Sequence, residues 1–253
     1  MLIKWDKSIA WDIDAESALG VLVVGSTEQH SKYLPTGTDS LLGEKVAELA
    51  AQKADARIVM LPVQRIGFSH HHRAFPGVLT VKTDVMISYL TEVCLSAFNS
   101  GIRKLLIINS HGGNYPALQA VVNRLGSEYG KEAVLLSYWN LVSDKINSVR
   151  RSAMGGMGHA GELETSLMLH FYPELVDKSR ITEYPVAKGD EWHNPDLVAK
   201  NKIYRYIPFD TYSDDGNIGQ PHLASAEEGR VIAEAAVTEL ASLMEFLHRS
   251  IIV

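Results

Sequence analysis

The sequence predicts an α/β protein of three layers, with helices covering both faces of a mostly parallel central sheet. Three observations carry this. The strand-like segments are continuous runs of Val, Leu and Ile rather than apolar–polar alternations, as expected of strands covered on both faces. Segments with apolar residues spaced by three and four lie between them, so strands alternate with helices in the doubly wound manner. Titratable side chains also gather just after the strand-like runs, where open α/β sheets bind ligands.

The first strand is "GVLVVG" (20–25), followed by a helical pattern over 39–54, "DSLLGEKVAELAAQKA". A second strand, "RIVMLPV" (57–63), leads to a helix over 84–101 that stops at Asn-Ser-Gly, a plausible C-terminal signal. "KLLIINS" (104–110) is followed by a helix over 115–130, and "AVLLSYW" (133–139) is the fourth strand. Helices over 161–172 and 225–250 complete the pattern. The stretch from about 177 to 222 carries Pro185, Pro195, Pro208 and Pro221 and reads as long loops over the sheet with a short hairpin; long loops of this kind are often lids or oligomer contacts. No internal repeat or linker divides the chain, so residues 1–253 are expected to form a single domain.

Composition narrows the function classes. With 46% hydrophobic and 21% charged residues the chain is expected to bury one sizeable core rather than to be disordered. The net charge of −6 and the lack of a basic run argue against a nucleic-acid partner. A single cysteine, Cys94, excludes an internal disulfide, fits a reducing compartment, and reads as core within "TEVCLSAF". The start, "MLIKWDKSIAWDIDAES", has no long apolar stretch, and no segment approaches eighteen consecutive apolar residues. The cytoplasm is the expected location, with no membrane partner.

The chemistry gathers after the strands. Glu28, His30 and Asp39 follow the first, His70, His71, His72 and Arg73 the second, and His111 the third, within "NSHGGN". The fourth leads, through a Gly-rich loop, to "GHAGELE" with His159, Glu162 and Glu164. In extended backbone Glu28 and His30, two apart, point to one side. Asp39 lies at a helix start, where it either bridges ions or simply caps the helix. Together the three suit first-row divalent ions. Glu162 and Glu164 would face different directions once a helix forms, so only one need reach a metal; either could instead be an ordinary acidic residue of a first helical turn. The glycines after His111 permit close backbone approach to a ligand, and Asn114 is a candidate N-cap. No G-x-S-x-G elbow, P-loop or dinucleotide fingerprint is present.

"GSTEQHSKYLPTGTD", "AFPGVLT", "INSHGGN", "LLSYWNLV" and "GHAGELETSLML" in this order, with "GQPHLASAEEG" beyond them, resemble the creatininase family, creatinine amidohydrolase and its relatives. The resemblance implies an α/β fold and two divalent ions, Zn or Mn with Fe as a third option. It implies that Glu28 and His111 hold one ion together with Asp39, that Asp39 bridges to the second, and that His30 holds the second. Creatininase has a glutamate as last ligand where this chain has Gly113; Glu162 is the expected replacement, with Glu164 the alternative. Trp139 matches one of two tryptophans that clamp the substrate ring, but the other position is Gly155. Relatives of this kind include a formylaminopyrimidine deformylase and a peptidase acting on a short peptide precursor.

The expected activity is therefore metal-dependent hydrolysis of a non-protein amide, cyclic amide or formamide C–N bond by water activated between two ions. His159 is the candidate general acid and Glu164 a second catalytic candidate. His70, His72, Trp139, Gly112 and Gly113 are candidates for contact with a small-molecule substrate, the last two through backbone N–H groups. The alternatives are a non-catalytic metal-binding or small-molecule-binding member of the fold, motivated by Gly113 and Gly155, and a relative acting on a short peptide or a ring ketone. Resemblance also implies a homo-oligomer, a hexamer by family precedent.

Overall fold

The computed structural model describes residues 1–251. Its sheet has five strands, β1 (Leu2–Lys4), β2 (Leu19–Val24), β3 (Ile58–Met60), β4 (Lys104–Asn109) and β5 (Glu132–Ser137). The order is β1-β3-β2-β4-β5 and every pairing is parallel.

Helices lie on both faces. Successive strand residues point to opposite sides, and the two cores divide accordingly. Val21, Val23, Leu106 and Ile108 pack on one side with α1 (Thr38–Lys53), α6 (Glu162–Phe171) and α7 (Ala226–Arg249). Leu22, Val24, Leu105 and Ile107 pack on the other with α2 (Thr83–Asn99) and α3 (Tyr115–Tyr129). Both faces of β2 and β4 are therefore buried, which is why these strands run apolar at consecutive positions rather than alternate ones, Lys104 and Asn109 at the ends of β4 excepted. Cys94 is wholly buried in the second core.

Several local expectations need adjustment. β1 is a strand that the sequence pattern did not single out; three residues at a sheet edge carry too little periodicity to show. β5 ends at Ser137, and Tyr138 and Trp139 open a short helix, α4 (Tyr138–Leu141), followed by α5 (Ser143–Val149). No strand occurs between 177 and 222: that stretch is coil punctuated by single helical turns at Lys178–Arg180, Phe209–Thr211 and Pro221–Leu223. The expected hairpin is absent because its backbone groups pair elsewhere, as where Leu197 N donates to Met157 O and Gln220 N to Gly156 O.

The strands deliver their C-terminal ends to one rim. After β2 the chain turns at Gly25, where a side chain would collide with the backbone of Ser40 at the start of α1. Glycine there lets α1 lean on the end of β2, which brings Asp39 beside the residues that follow the strand. No helix among the described residues is long and apolar enough to cross a membrane.

Candidate metal centre

Glu28 is the centre of the arrangement. It is fully buried, and its Oε1 lies 3.0 Å from His72 Nε2, 3.2 Å from His111 Nδ1 and 3.6 Å from His159 Nδ1. Despite these distances, neither carboxylate oxygen receives an aligned hydrogen bond. The carboxylate is thus surrounded by imidazole nitrogens without an aligned hydrogen bond to any of them. A buried charge with no partner is costly, so this orphaned carboxylate fits a cation.

Asp39 is the second carboxylate. It is not the cap of α1: its Oδ2 accepts from Ser26 Oγ at 2.5 Å and lies 3.1 Å from His111 Nδ1, while Oδ1 lies 3.1 Å from His30 Nε2. It thus stands between the Glu28–His111 pair and His30. Glu164, on the first turn of α6, is the third, with Oε2 4.0 Å from His30 Nε2. Glu28, His30 and Asp39 group their donor atoms within 4.8 Å, as do His30, His159 and Glu164, and as do Glu28, His71 and His111. Glu28, His72 and His159 form a fourth such group, so the groups share members within one buried cluster able to hold metal.

Glu162 is elsewhere. It is fully buried, but its carboxylate accepts from Arg151 N at 2.6 Å and Ser152 N at 2.8 Å, on the far side of α6 from His30. Two residues along a helix are about 200° apart around its axis, so Glu162 and Glu164 cannot serve one site. Packing of α6 turns Glu164, and not Glu162, toward His30 and His159. At Gly113 a Cβ would sit 2.5 Å from both His111 Nε2 and His71 Cε1 and 2.6 Å from Phe68 O. The His71 ring, parallel to His111 with centroids 5.3 Å apart, fills the space a side chain at 113 would need.

The electrostatics follow from burial and proximity. Burial alone would raise Glu28, yet His111 and His72 hold it well below the usual carboxylate range. Asp39 is likewise held low, chiefly by His30 against the effect of burial. Burial disfavours a charged His30, but Asp39, Glu164 and Glu28 lift it to about 9. Burial pushes Glu164 up to about 7, with Asp39 adding and His30 opposing. His159 is held well below its ordinary value by burial, His30 and His72, and is therefore neutral.

Two backbone features lock the site. Ser31 (φ 56°) and Ala160 (φ 51°) are non-glycine residues in the left-handed region, and each directly follows a site histidine. Such strain persists where the surroundings enforce it and concentrates at functional sites. Ala160 N donates to Glu164 Oε2 at 2.6 Å, so the strained turn after His159 also fixes Glu164.

A cavity of about 360 Å³ opens onto this cluster. His111, His159, Glu164, Gly112, Gly113 and Trp139 line it, together with residues from 193–212. Two expected substrate contacts are placed differently. His70 packs on Phe68, with ring centroids 4.9 Å apart, and is not part of the cavity wall; His72 is fully buried behind the wall. His71 lines the cavity instead. The helical turn at His70–His72 points successive rings in different directions, which an unbroken run of histidines does not disclose. Gln29, whose side chain meets both His72 and His159, was not singled out by the sequence pattern either. Asn114, the candidate cap of α3, uses its amide on Gly25 O and Phe68 N, tying the first strand's turn to the histidine turn.

A family model described as creatininase, creatinine amidohydrolase, matches residues 4–244. The chain belongs to the creatininase family. Creatininase-family proteins are metal-dependent amidohydrolases, and the buried carboxylate–histidine cluster agrees with that. A Thermotoga maritima protein named 3-dehydro-scyllo-inosose hydrolase is 28% identical over 88% of this chain and 76% of its own length. The mycofactocin precursor peptide peptidase of Mycobacterium ulcerans is 30% identical over 88% and 82%. The creatinine amidohydrolase of Pseudomonas putida is 25% identical over 87% and 86%. Among solved structures, a mutant creatininase described as Zn–Zn type superposes with a TM-score of 0.82 at 23% identity, covering 97% of this chain and 98% of the other. A creatininase described with Mn gives 0.79 at 23%, with the same coverage. These likenesses establish the three-layer creatininase fold.

Proposed function

We infer that this creatininase-family member hydrolyses a non-protein amide, cyclic amide or formamide C–N bond, with two divalent ions, Zn or Mn, held by Glu28, Asp39, His30, His111 and Glu164. The carrying observation is the fully buried Glu28 carboxylate with both oxygens unpartnered among imidazoles. Glu28 and His111 face one position, His30 and Glu164 the other, and Asp39 reaches both. Such a pair of ions supplies a Lewis acid for the scissile carbonyl and a water of lowered pKa.

The chain's own groups do the rest. His159 Nε2–H donates to Gln29 O at 2.6 Å, which leaves Nδ1 unprotonated and aimed at the cluster. A neutral imidazole so placed first accepts a proton from the attacking water and then returns it to the leaving nitrogen. The general-acid role expected of His159 is thus the second half of a shuttle. The backbone at Gly112 and Gly113 borders the cavity, where N–H groups can meet the developing oxyanion. Trp139 offers a flat apolar surface on the same cavity.

Creatinine itself is not the substrate inferred. Gly155 adopts φ +100° and packs directly against the backbone of Ala187, so no side chain fits where the resemblance calls for a second tryptophan. Trp139 has no ring partner from that position, and the other rings on the cavity, Phe209, Tyr206 and Tyr212 among them, come from different segments of the chain. Metal analysis of protein purified without chelator, with anomalous scattering from its crystals, is expected to find two ions per chain. A screen of lactams, formamides and small peptides is expected to show turnover that chelation abolishes. Bound metal with no turnover on any of them would instead support the non-catalytic reading.

A further inference from the structure

We propose that His72 is not an ion ligand but a fixed N–H donor that aims the Glu28 carboxylate, and that Gln29 sets it in that state. The proposal rests on the dinuclear reading above only for its consequence; the tautomer of His72 is a property of the chain alone.

The four histidines around the two carboxylates are not alike. His30 Nδ1 donates to Glu28 O at 3.1 Å, His111 Nε2 donates to Phe68 O at 3.0 Å, and His159 Nε2 donates to Gln29 O at 2.6 Å. In each, a backbone carbonyl takes the outward N–H. With the outward proton fixed there, the inward nitrogen carries the lone pair an ion ligand needs whenever the ring is neutral, as it becomes in His30 and His111 once a metal displaces the second proton. His72 is reversed. Its outward Nδ1 lies 2.9 Å from Gln29 Nε2, an amide nitrogen that can only donate. Nδ1 is therefore the acceptor, and the inward Nε2 carries the hydrogen.

The orientation of Gln29 decides the matter, and two contacts fix it. Ser31 N donates to Gln29 Oε1 at 2.7 Å, and Gly216 O lies 3.5 Å from Nε2 on the other side. A flipped amide would set N–H against the N–H of Ser31 and carbonyl against carbonyl at Gly216. Ser31 is itself held in the left-handed region, with Oγ donating to Asp215 Oδ2 at 3.1 Å, so its N–H cannot turn away.

His72 Nε2 is 3.0 Å from Glu28 Oε1, and both residues are wholly buried. The two atoms are close but not aligned as a hydrogen bond in this structure; His72 is proposed to meet the carboxylate as donor, not as a fellow ligand. Although the donor atoms of Glu28, His72 and His159 fall close enough to suggest an ion between them, a neutral imidazole that accepts at Nδ1 has no lone pair left at Nε2. His72 thus presents one hydrogen to one oxygen of Glu28. It leaves the other oxygen for the ion and fixes the plane of the carboxylate.

The test is tautomer-resolved NMR on protein labelled with 15N at histidine, both stripped of metal and loaded with zinc. The His72 signals are assigned from their loss in His72→Asn. His72 is expected to show a protonated Nε2 and an accepting Nδ1 in both states, whereas His30 and His111 change on zinc binding. Zinc moving the His72 Nε2 signal as it moves theirs, or a protonated Nδ1 in the wild type, overturns the proposal. Gln29→Glu replaces the donating amide with an accepting carboxylate and is expected to invert the His72 tautomer, with zinc affinity changed by about 10–100-fold as for other outer-shell losses. An unchanged tautomer in a folded Gln29→Glu variant would count equally against it. If that variant does not fold, the wild-type spectra decide alone. Failure of zinc to bind at all would defeat the dinuclear reading while leaving the tautomer measurable.

Discussion

Glu162→Gln and Glu164→Gln should have opposite effects, and the contrast tests how α6 is oriented. Glu162 accepts two hydrogen bonds from the backbone, from Arg151 N and Ser152 N, at a fully buried position. Hydrogen bonds to a charged group are worth roughly 1.5–3 kcal/mol each. Glutamine keeps one accepting oxygen but turns an NH₂ toward the second N–H, so about 3 kcal/mol is lost; relief of the Glu228 carboxyl nearby offsets part of it. In a chain of this size that is a fall in Tm of roughly 6–12 °C. Glu162 touches no ion position, so metal stoichiometry should stay at the wild-type value. Glu164→Gln instead removes a charged donor facing His30. It should lower zinc affinity at one position by at least the roughly 100-fold that even outer-shell losses can reach, with a smaller effect on the Tm of stripped protein. Competition titration with a zinc chelator and thermal unfolding of metal-free samples measure the two quantities separately. Loss of an ion in Glu162→Gln with full loading of Glu164→Gln would refute the placement of Glu164 in the site.

Two further perturbations probe the surroundings. Asp196, which is buried, takes Arg150 Nη2 at 2.7 Å, Gly155 N at 2.8 Å and Met157 N at 3.1 Å, tying the cavity's outer loop to the loop before His159. Asp196→Ala removes the carboxylate from Arg150, which keeps its bonds to Ser152 O and Ala153 O, and frees Gly155 N and Met157 N; proteolysis within 190–212 should accelerate and KM should rise with metal content unchanged, and an unaltered cleavage pattern would contradict this. Glu228, buried beside Glu162, Ser166 and Arg151, is pushed up to about 8 from 4.5 by burial first and then by Glu162. Folding therefore favours its neutral form: the stability it contributes is complete below pH 4.5 and is lost as pH rises through about 8, on the order of 3 kcal/mol. Tm measured from pH 5 to 9 should fall less steeply in Glu228→Gln than in the wild type, and parallel curves would show that Glu228 does not titrate in that window.

The parts of the fold legible in the sequence are those where one physical cause acts along a continuous segment. β2 and the middle of β4 are apolar at consecutive positions because helices cover both their faces, and α7 shows its periodicity over 24 residues. β1 is three residues at an edge and leaves no such trace. In the site, Glu28, His30, Asp39 and His111 were recognisable because each follows the C-terminal end of a strand, a position set by topology. The choice between Glu162 and Glu164 was not recognisable. Both start the same helix, and only the packing of α6 against α1 and α7 determines which faces inward. The run at 69–73 was ambiguous for a related reason: one helical turn sends His70 outward, His71 to the cavity and His72 into the interior.

The same convergence explains how the chain tolerates so many buried charges. Two carboxylates held ionised, Glu28 and Asp39, would be prohibitive in isolation. In the metal-free chain His30 and His111 are shifted upward, so protons at their inward nitrogens neutralise the carboxylates. Those nitrogens are the very positions that face the ions in the reading above. Loading the site would therefore displace those protons, and metal affinity is expected to rise with pH as His30 loses its proton near 9. The cluster can stay preorganised in both states because the backbone carbonyls on the outward nitrogens and the strained turns at Ser31 and Ala160 hold the rings in place whichever cation occupies the centre.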